Sequence, residues 1–180
     1  MIGHIIRKIF AQFLLLASLA LTVFLGLAIG TTPDAAAAIR KIEEAPGQMV
    51  YQSRQTLKDQ HGNSWQAIAF KRIPLKGKPS FELRLVGFPG GVEIDRSKPL
   101  LLTNSVGKKL TAADNSSTIF TDLSTPEPNI GEYDLQPLRS QLQTKNPISL
   151  TIPTIGGEAI NLSVPTSFAQ EWQTLFSTRE

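Results

Sequence analysis

The sequence predicts an α+β domain: an antiparallel sheet of about six or seven strands, one short helix and a helix at the C-terminus. Apolar and polar residues alternate with a period of two in much of the chain, most regularly in residues 80–88, which indicates strands with one buried face. Near the end of the chain, Phe168, Trp172 and Phe176 recur at helical spacing. The same patterns leave open a β-sandwich or a barrel with a helical lid.

The first strands form a predicted hairpin. Residues 49–57 and 64–72 alternate in hydrophobicity and flank the turn-rich residues 59–63. Residues 73–79 contain two prolines, a glycine and two lysines, which predict a loop. The regular strand over residues 80–88 follows this loop and is expected to be a half-buried antiparallel strand.

Shorter strands and two helices complete the predicted order. We expect Asp134 to cap a short helix over residues 135–143, and Ser167 to cap the C-terminal helix over residues 168–176. Residues 115–129 are polar and contain prolines, which predicts a loop. Short strands are expected at residues 92–95, 99–103, 109–113, 148–153 and 159–164.

The N-terminal segment has the pattern of an export signal. Arg7 and Lys8 form a short basic region, and residues 9–29 follow without any charged side chain. Small residues come next, and this order of basic, apolar and small residues is typical of a secretory signal. We therefore expect residues 1–38 to be a signal peptide that directs the rest of the chain out of the cytoplasm.

The alanine run marks the expected cleavage site. A signal peptidase needs small side chains at the first and third positions before the cut, and Ala38 and Ala36 meet this requirement. Cleavage before Ile39 would leave residues 39–180 as a single globular domain. The apolar run also has about the 20 residues that a spanning helix needs, so an uncleaved membrane anchor is the alternative.

Composition excludes several chemistries. The chain has no cysteine, which removes disulfides, thiolate metal ligands and thiol catalysis. One of its two histidines lies in the predicted signal, leaving His61 alone, so a histidine-based catalytic triad or metal site is not expected. Residues 39–180 contain 16 basic and 14 acidic residues, too small an excess for a dedicated nucleic-acid binder. We expect no cofactor and no bound metal.

A group of cations is the candidate binding site. Lys71, Arg72, Lys76 and Lys78 lie close together in the chain with no acidic residue among them. Such a group can contact anionic lipid headgroups or an acidic protein partner. We predict these four residues as partner-binding residues.

Acidic residues suggest a second chemistry. Oxygen ligands on a flexible loop can hold Ca²⁺, but the spacing of the acidic residues does not match an EF-hand, and a solvated loop is the preferred interpretation. A carboxylate-based hydrolase would need two of these side chains to face one cleft. The residues concerned are Asp114, Asp122, Glu127, Glu132 and Asp134.

Several phrases of the sequence resemble a family of exported cyanobacterial proteins of unknown function. The resemblance covers nearly the whole of residues 39–180 and implies a compartment, the periplasm or the thylakoid lumen, but no catalytic residues. The matching phrases are found at residues 44–48, 51–57, 62–67, 133–138, 164–165 and 170–172.

These observations predict a non-enzymatic, exported accessory or binding protein. The resemblance implies an assembly or stability factor for a photosynthetic membrane complex. This implication is an association with other small lumenal proteins and has no physical basis in the residues. Contact with the membrane would be made by an uncleaved signal or by peripheral binding, and the oligomeric state is not predicted. The alternatives are a carrier of a small apolar ligand and, third, the carboxylate-based hydrolase.

Overall fold

A computed structural model describes residues 39–120, 126–142 and 146–178. The predicted signal, with Ala36 and Ala38, lies outside the described residues. Among the residues that the structure describes, no helix has the length and hydropathy needed to cross a membrane. The elements are β1 (Arg40–Ala45), β2 (Gln48–Lys58), β3 (Ser64–Ile73), β4 (Ser80–Val86), β5 (Leu100–Asn104), β6 (Lys109–Asp114), β7 (Ile130–Asp134), β8 (Ile148–Ile152), β9 (Ile160–Val164) and the helix α1 (Thr166–Ser177).

The nine strands form one open, antiparallel sheet in the order β1-β2-β3-β4-β7-β6-β5-β8-β9. This confirms the predicted α+β class, with more strands than the six or seven expected. An isolated bridge joins Asp59, just after β2, to Leu162 on β9. Because β2 and β9 lie near opposite ends of the strand order, the sheet must curl strongly to bring them together. The ladder does not close, so the barrel alternative is not realised.

Two strands were absent from the sequence prediction. Strand β1 is exposed along its whole length and is mostly charged, so it has no alternating pattern to detect. Strand β7 directly follows a polar segment and contains a buried glycine and a buried glutamate, Gly131 and Glu132. Conversely, the strand predicted at residues 92–95 is wrong, because this segment makes only an isolated bridge between Ile94 and Thr154.

The short helix predicted over residues 135–143 is a 3₁₀ helix, Gln136–Leu138, followed by a turn. Residue 143 lies outside the described residues. The N-cap is Leu135, so Asp134 is not the cap that we expected, although its Oδ1 accepts a hydrogen bond of 2.9 Å from the backbone N–H of Gln136. The N–H of Leu138 donates to the Leu135 carbonyl at 3.0 Å, and that of Arg139 to the Gln136 carbonyl at 3.4 Å, so this segment has the i→i+3 hydrogen bonds of a 3₁₀ helix.

Helix α1 begins earlier than the sequence predicts. Its N-cap is Pro165, and the first turn is closed by the N–H of Ala169, which donates to the Pro165 carbonyl at 3.1 Å. Ser167 is therefore inside the first turn and is not the N-cap, and no side chain caps this end. The extended backbone of Pro165 sets up the turn without a capping hydroxyl.

The core lies between the inner face of the curled sheet and α1. Phe81 on β4 and Phe176 on α1 have ring centroids 3.9 Å apart, which fixes the C-terminal end of the helix against the sheet. Ser53 on β2 donates a hydrogen bond to Glu171 on the same helix. The interior is filled by large side chains that are almost fully buried, namely Trp65, Phe81, Tyr133, Phe168 and Trp172.

Asp59 organises the turn between β2 and β3. Its carboxylate accepts hydrogen bonds from the N–H of His61 and Asn63, at 2.9 and 2.8 Å, and from the Asn63 side chain. The indole Nε1 of Trp65 also donates to it, at 3.2 Å. Burial raises the pKa of Asp59, but the hydrogen bonds from Asn63, Trp65 and His61 outweigh this and hold its pKa below the ordinary value of 3.8.

Replacing this carboxylate tests its role in the turn. We expect Asp59→Asn to lower the free energy of unfolding by about 2 kcal/mol, because an amide cannot accept the same set of donors. Since the folded pKa is depressed, the loss should be full at neutral pH and should shrink as the pH falls below about 4. Urea unfolding followed by tryptophan fluorescence at pH 7 and pH 3 measures both effects.

The matched control is Asp95→Asn, which removes a partly buried aspartate that also accepts from a backbone N–H two residues on and pairs with the exposed Lys98. A loss no larger at position 59 than at position 95 would show that Asp59 is not an organising residue.

Candidate functional site

An open cavity of about 600 Å³ lies where the C-terminal end of α1 meets the end of β3. An adjoining cavity of about 330 Å³ shares much of its lining. We call the two together the basic pocket, because three cations line them and no acidic residue does in the described part of the chain. The lining residues are Lys71, Ile73, Lys78, Pro79, Phe81, Gln136, Arg139, Phe176, Ser177 and Thr178.

Lys71 forms the inner wall of the basic pocket. It is only 9% exposed, on the inward face of β3. Its Nζ donates to the carbonyl oxygens of Phe176 and Thr178, at 3.2 and 2.6 Å, so it satisfies carbonyls that the end of α1 leaves without partners. Burial lowers the pKa of Lys71, and the positive charge of Arg139 lowers it further.

The pocket is suited to an anionic group. Among the described residues, no acidic side chain forms an ion pair with Lys71, Lys78 or Arg139. Positive charges that converge on a partly apolar cleft repel one another, and a bound anion removes that repulsion. Phe81 and Phe176 contribute the apolar part of the lining. The arrangement can bind an anionic group beside an apolar one.

The structure separates the four cations predicted as partner-binding residues. Lys71 and Lys78 line the basic pocket, whereas Lys76 lies exposed in the loop between β3 and β4 without lining it. Arg72 points to the opposite face of β3, because neighbouring residues of a strand alternate. Arg72 forms ion pairs with Glu44, at 2.8 Å, and with Glu82, at 3.1 Å.

Arg139 is the pocket residue that sequence reasoning missed. It follows the 3₁₀ helix after β7 and lies far along the chain from Lys71 and Lys78. No local motif surrounds it. Only the pairing of β4 with β7 brings its segment beside the loop that holds Lys78.

None of the described acidic residues predicted as candidates lines the basic pocket. Glu132 is fully buried and Asp114 accepts hydrogen bonds from the Ser116 N–H and hydroxyl, at 3.1 and 2.7 Å. Asp134 accepts a hydrogen bond from the Gln136 N–H, Glu127 lies exposed in a loop, and Asp122 is outside the described residues. In the described part of the chain, no group of three or more acidic or histidine side chains could hold a metal ion.

The outer face of β3, β4 and β7 carries a charged network. Arg84 contacts Glu132 through Nε at 2.8 Å and Nη2 at 2.6 Å, and Thr118 donates to the same carboxylate at 3.0 Å. The guanidinium groups of Arg72 and Arg84 lie over the Phe70 ring, 5.2 and 5.4 Å from its centroid. These contacts tie three strands together through side chains.

Glu82 is the member of this network whose ionisation is unfavourable. Burial raises its pKa, and the nearby negative charge of Glu132 raises it further, while Arg72 partly compensates. A buried carboxylate pair can indicate acid–base catalysis. Here Glu132 has no exposed surface, so the pair is not presented to a substrate.

A family model described as "Protein of unknown function (DUF3122)" matches residues 37–175. The chain belongs to the DUF3122 family. The match includes all nine strands of the DUF3122 domain, most of α1, and the three cations of the basic pocket. Comparisons with curated proteins and with solved structures gave no match. The family description assigns no activity, so the geometry of the DUF3122 domain is the basis for its function.

The carboxylates of the DUF3122 domain provide a stability test. We expect Glu132→Gln to lower the free energy of unfolding by about 3 kcal/mol, because it leaves the Arg84 guanidinium without its buried partner. We expect Glu82→Gln to leave stability unchanged or higher at pH 7, since it removes a buried charge and Arg72 retains Glu44. Urea unfolding of the two variants and the wild type is the measurement.

The pH dependence of the free energy of unfolding tests the raised pKa of Glu82. Because the folded pKa of Glu82 is raised, wild-type stability is lost as the pH rises through that pKa. The Glu82→Gln variant should therefore gain on the wild type between pH 4 and pH 7. These roles would be contradicted if Glu82→Gln lost stability relative to the wild type over this pH range, or if Glu132→Gln were as stable as the wild type.

Proposed function

We propose that this DUF3122 protein is a non-enzymatic, exported accessory protein of a membrane complex and that its basic pocket binds an anionic group of that complex. The observation that carries the proposal is the convergence of Lys71, Lys78 and Arg139 on one open pocket, where no acidic residue of the described part of the chain is among the lining residues. Cations beside apolar side chains supply binding energy and charge complementarity to an anionic partner.

The location in the proposal comes from the sequence. The predicted signal over residues 1–38 supports export, and the family resemblance supports a photosynthetic membrane complex facing the periplasm or the thylakoid lumen as the partner. A membrane complex would present its acidic loops and its surrounding lipid headgroups to such a protein. Both offer the negative charge that the basic pocket would take up.

Two other functions have weaker support. A carrier of a small apolar ligand needs an empty interior, but large side chains such as Trp65, Tyr133 and Trp172 fill the space between the sheet and α1. A carboxylate-based hydrolase needs two carboxyl groups that face a cleft, and Glu132, Asp114 and Asp134 all form intramolecular hydrogen bonds. The basic pocket is therefore the better basis for a function.

Affinity capture from native membranes tests the proposal. The tag belongs in the turn between Gly156 and Gly157, because loop tips tolerate insertions and a C-terminal tag would lie beside the pocket. We expect a membrane complex to co-purify at low salt after mild detergent extraction, and to be lost when Lys78→Glu and Arg139→Glu are combined. Mass spectrometry of the captured material identifies the complex.

The matched control combines Lys108→Glu and Lys109→Glu, which changes net charge equally at exposed positions on the β5–β6 turn. This variant should capture the complex as the wild type does. Lys71 is left unchanged because its hydrogen bonds hold the end of α1. If no complex co-purifies with the wild type, or if both double variants lose it equally, the proposal fails.

A further inference from the structure

The loop between β3 and β4, residues 74–79, presents a large apolar side chain to solvent beside the basic pocket. Leu75 is 74% exposed, and Lys76 follows it directly. Gly77 has a φ of 116°, a conformation that favours glycine and lets the loop reverse tightly. The loop therefore holds an exposed leucine and two lysines at one tip.

The tip is supported from one side. A Cβ placed on Gly47, in the turn between β1 and β2, would lie 3.1 Å from the Leu75 Cδ1. The turn thus packs closely against one side of the leucine while the rest of the side chain stays exposed. Close packing on a turn restricts the leucine and holds it in a projecting position.

The leucine lies next to the pocket in the chain. Ile73, Lys78 and Pro79 line the basic pocket, and Leu75 lies between them in the loop, so the exposed leucine adjoins the pocket cations. An exposed apolar side chain surrounded by cations is the combination that peripheral proteins use on anionic bilayers. The cations meet the headgroup charge, and the apolar side chain enters the acyl boundary.

We propose that the basic pocket binds the phosphate headgroup of an anionic lipid and that Leu75 inserts into the lipid surface beside it. The proposal deepens the proposed function and rests on the same pocket. Arg139 and Lys78 would contact the phosphate oxygens, since guanidinium and ammonium groups both bind phosphate. Phe81 and Phe176 would lie against the apolar part of the lipid.

An acidic protein segment is the competing occupant, and the loop argues against it. The charge of an acidic peptide is neutralised by the pocket cations without help from the exposed Leu75. A lipid surface needs both features at once. The choice between the two occupants is therefore decided by whether Leu75 enters an apolar environment.

The absence of native cysteine makes this measurable in the full-length protein. Leu75→Cys carries an environment-sensitive dye, and the matched control is the same dye on Val106→Cys, a residue 80% exposed on the β5–β6 turn. Vesicles contain phosphatidylcholine alone or phosphatidylcholine mixed with phosphatidylglycerol. The local signal at position 75 reports insertion independently of any contact that the N-terminal segment makes.

We expect a blue shift of the position-75 dye on the mixed vesicles and none on phosphatidylcholine, with no shift at position 106 on either. Combining Lys78→Glu and Arg139→Glu should weaken the response to lipid concentration by roughly tenfold or more, since each cation near a charged surface contributes a factor of about five. Combining Lys108→Glu and Lys109→Glu should change it less than twofold, roughly.

The lipid assignment would be overturned if the emission of the dye at position 75 did not shift, if the shift were equal on both kinds of vesicle, or if the two charge variants had equal effects. Binding of inorganic phosphate in the pocket while the dye ignores vesicles would make the ligand a soluble anion and would also overturn it. If the membrane complex is still captured through Lys78 and Arg139 in that case, the proposed function stands with an acidic protein partner. If capture fails as well, both proposals fall.

Discussion

The packing of α1 against the inner face of the curled sheet is the interaction on which the rest of the structure depends. A sheet of nine strands exposes a broad apolar face, and burial of that face is the main source of free energy for folding. The contact of Phe81 with Phe176 fixes where the helix ends. The end of the helix leaves carbonyl oxygens without partners, and Lys71 reaches two of them. The position of the basic pocket is therefore a consequence of how the core is closed.

The cations on the two faces of β3 differ in whether they have acidic partners. Arg72 and Arg84 are paired with carboxylates on the outer face, and their charges are compensated there. Lys71 faces inward and shares its pocket with another cation, Arg139, so its charge is uncompensated by any described side chain. Compensated cations contribute to the fold, while uncompensated cations in an open pocket are available to a ligand. This contrast separates the candidate site from the charged network, although both contain buried ionisable groups.

The two proposals share one physical idea at two levels of detail. The accessory function requires an anionic group at the basic pocket, and the lipid assignment says which surface supplies it. Leu75 distinguishes them, because its exposure has no role in binding an isolated anion. The loop that carries Leu75 also carries Lys78, so the connection between β3 and β4 contains both an apolar and a charged part of the surface.

The sequence by itself determined the α+β class, the long strands β2, β3 and β4, and the C-terminal helix, because alternation and helical spacing are local consequences of having one buried face. It also determined that Lys71 and Arg72 point in opposite directions, although we grouped them as one site. Only the tertiary structure decided that β1 and β7 are strands, since an exposed edge strand and a strand with buried polar residues gain their order from the neighbours they pair with. Only it brought Arg139 to Lys71 and Lys78, because the pairing of β4 with β7 joins segments that no local pattern relates.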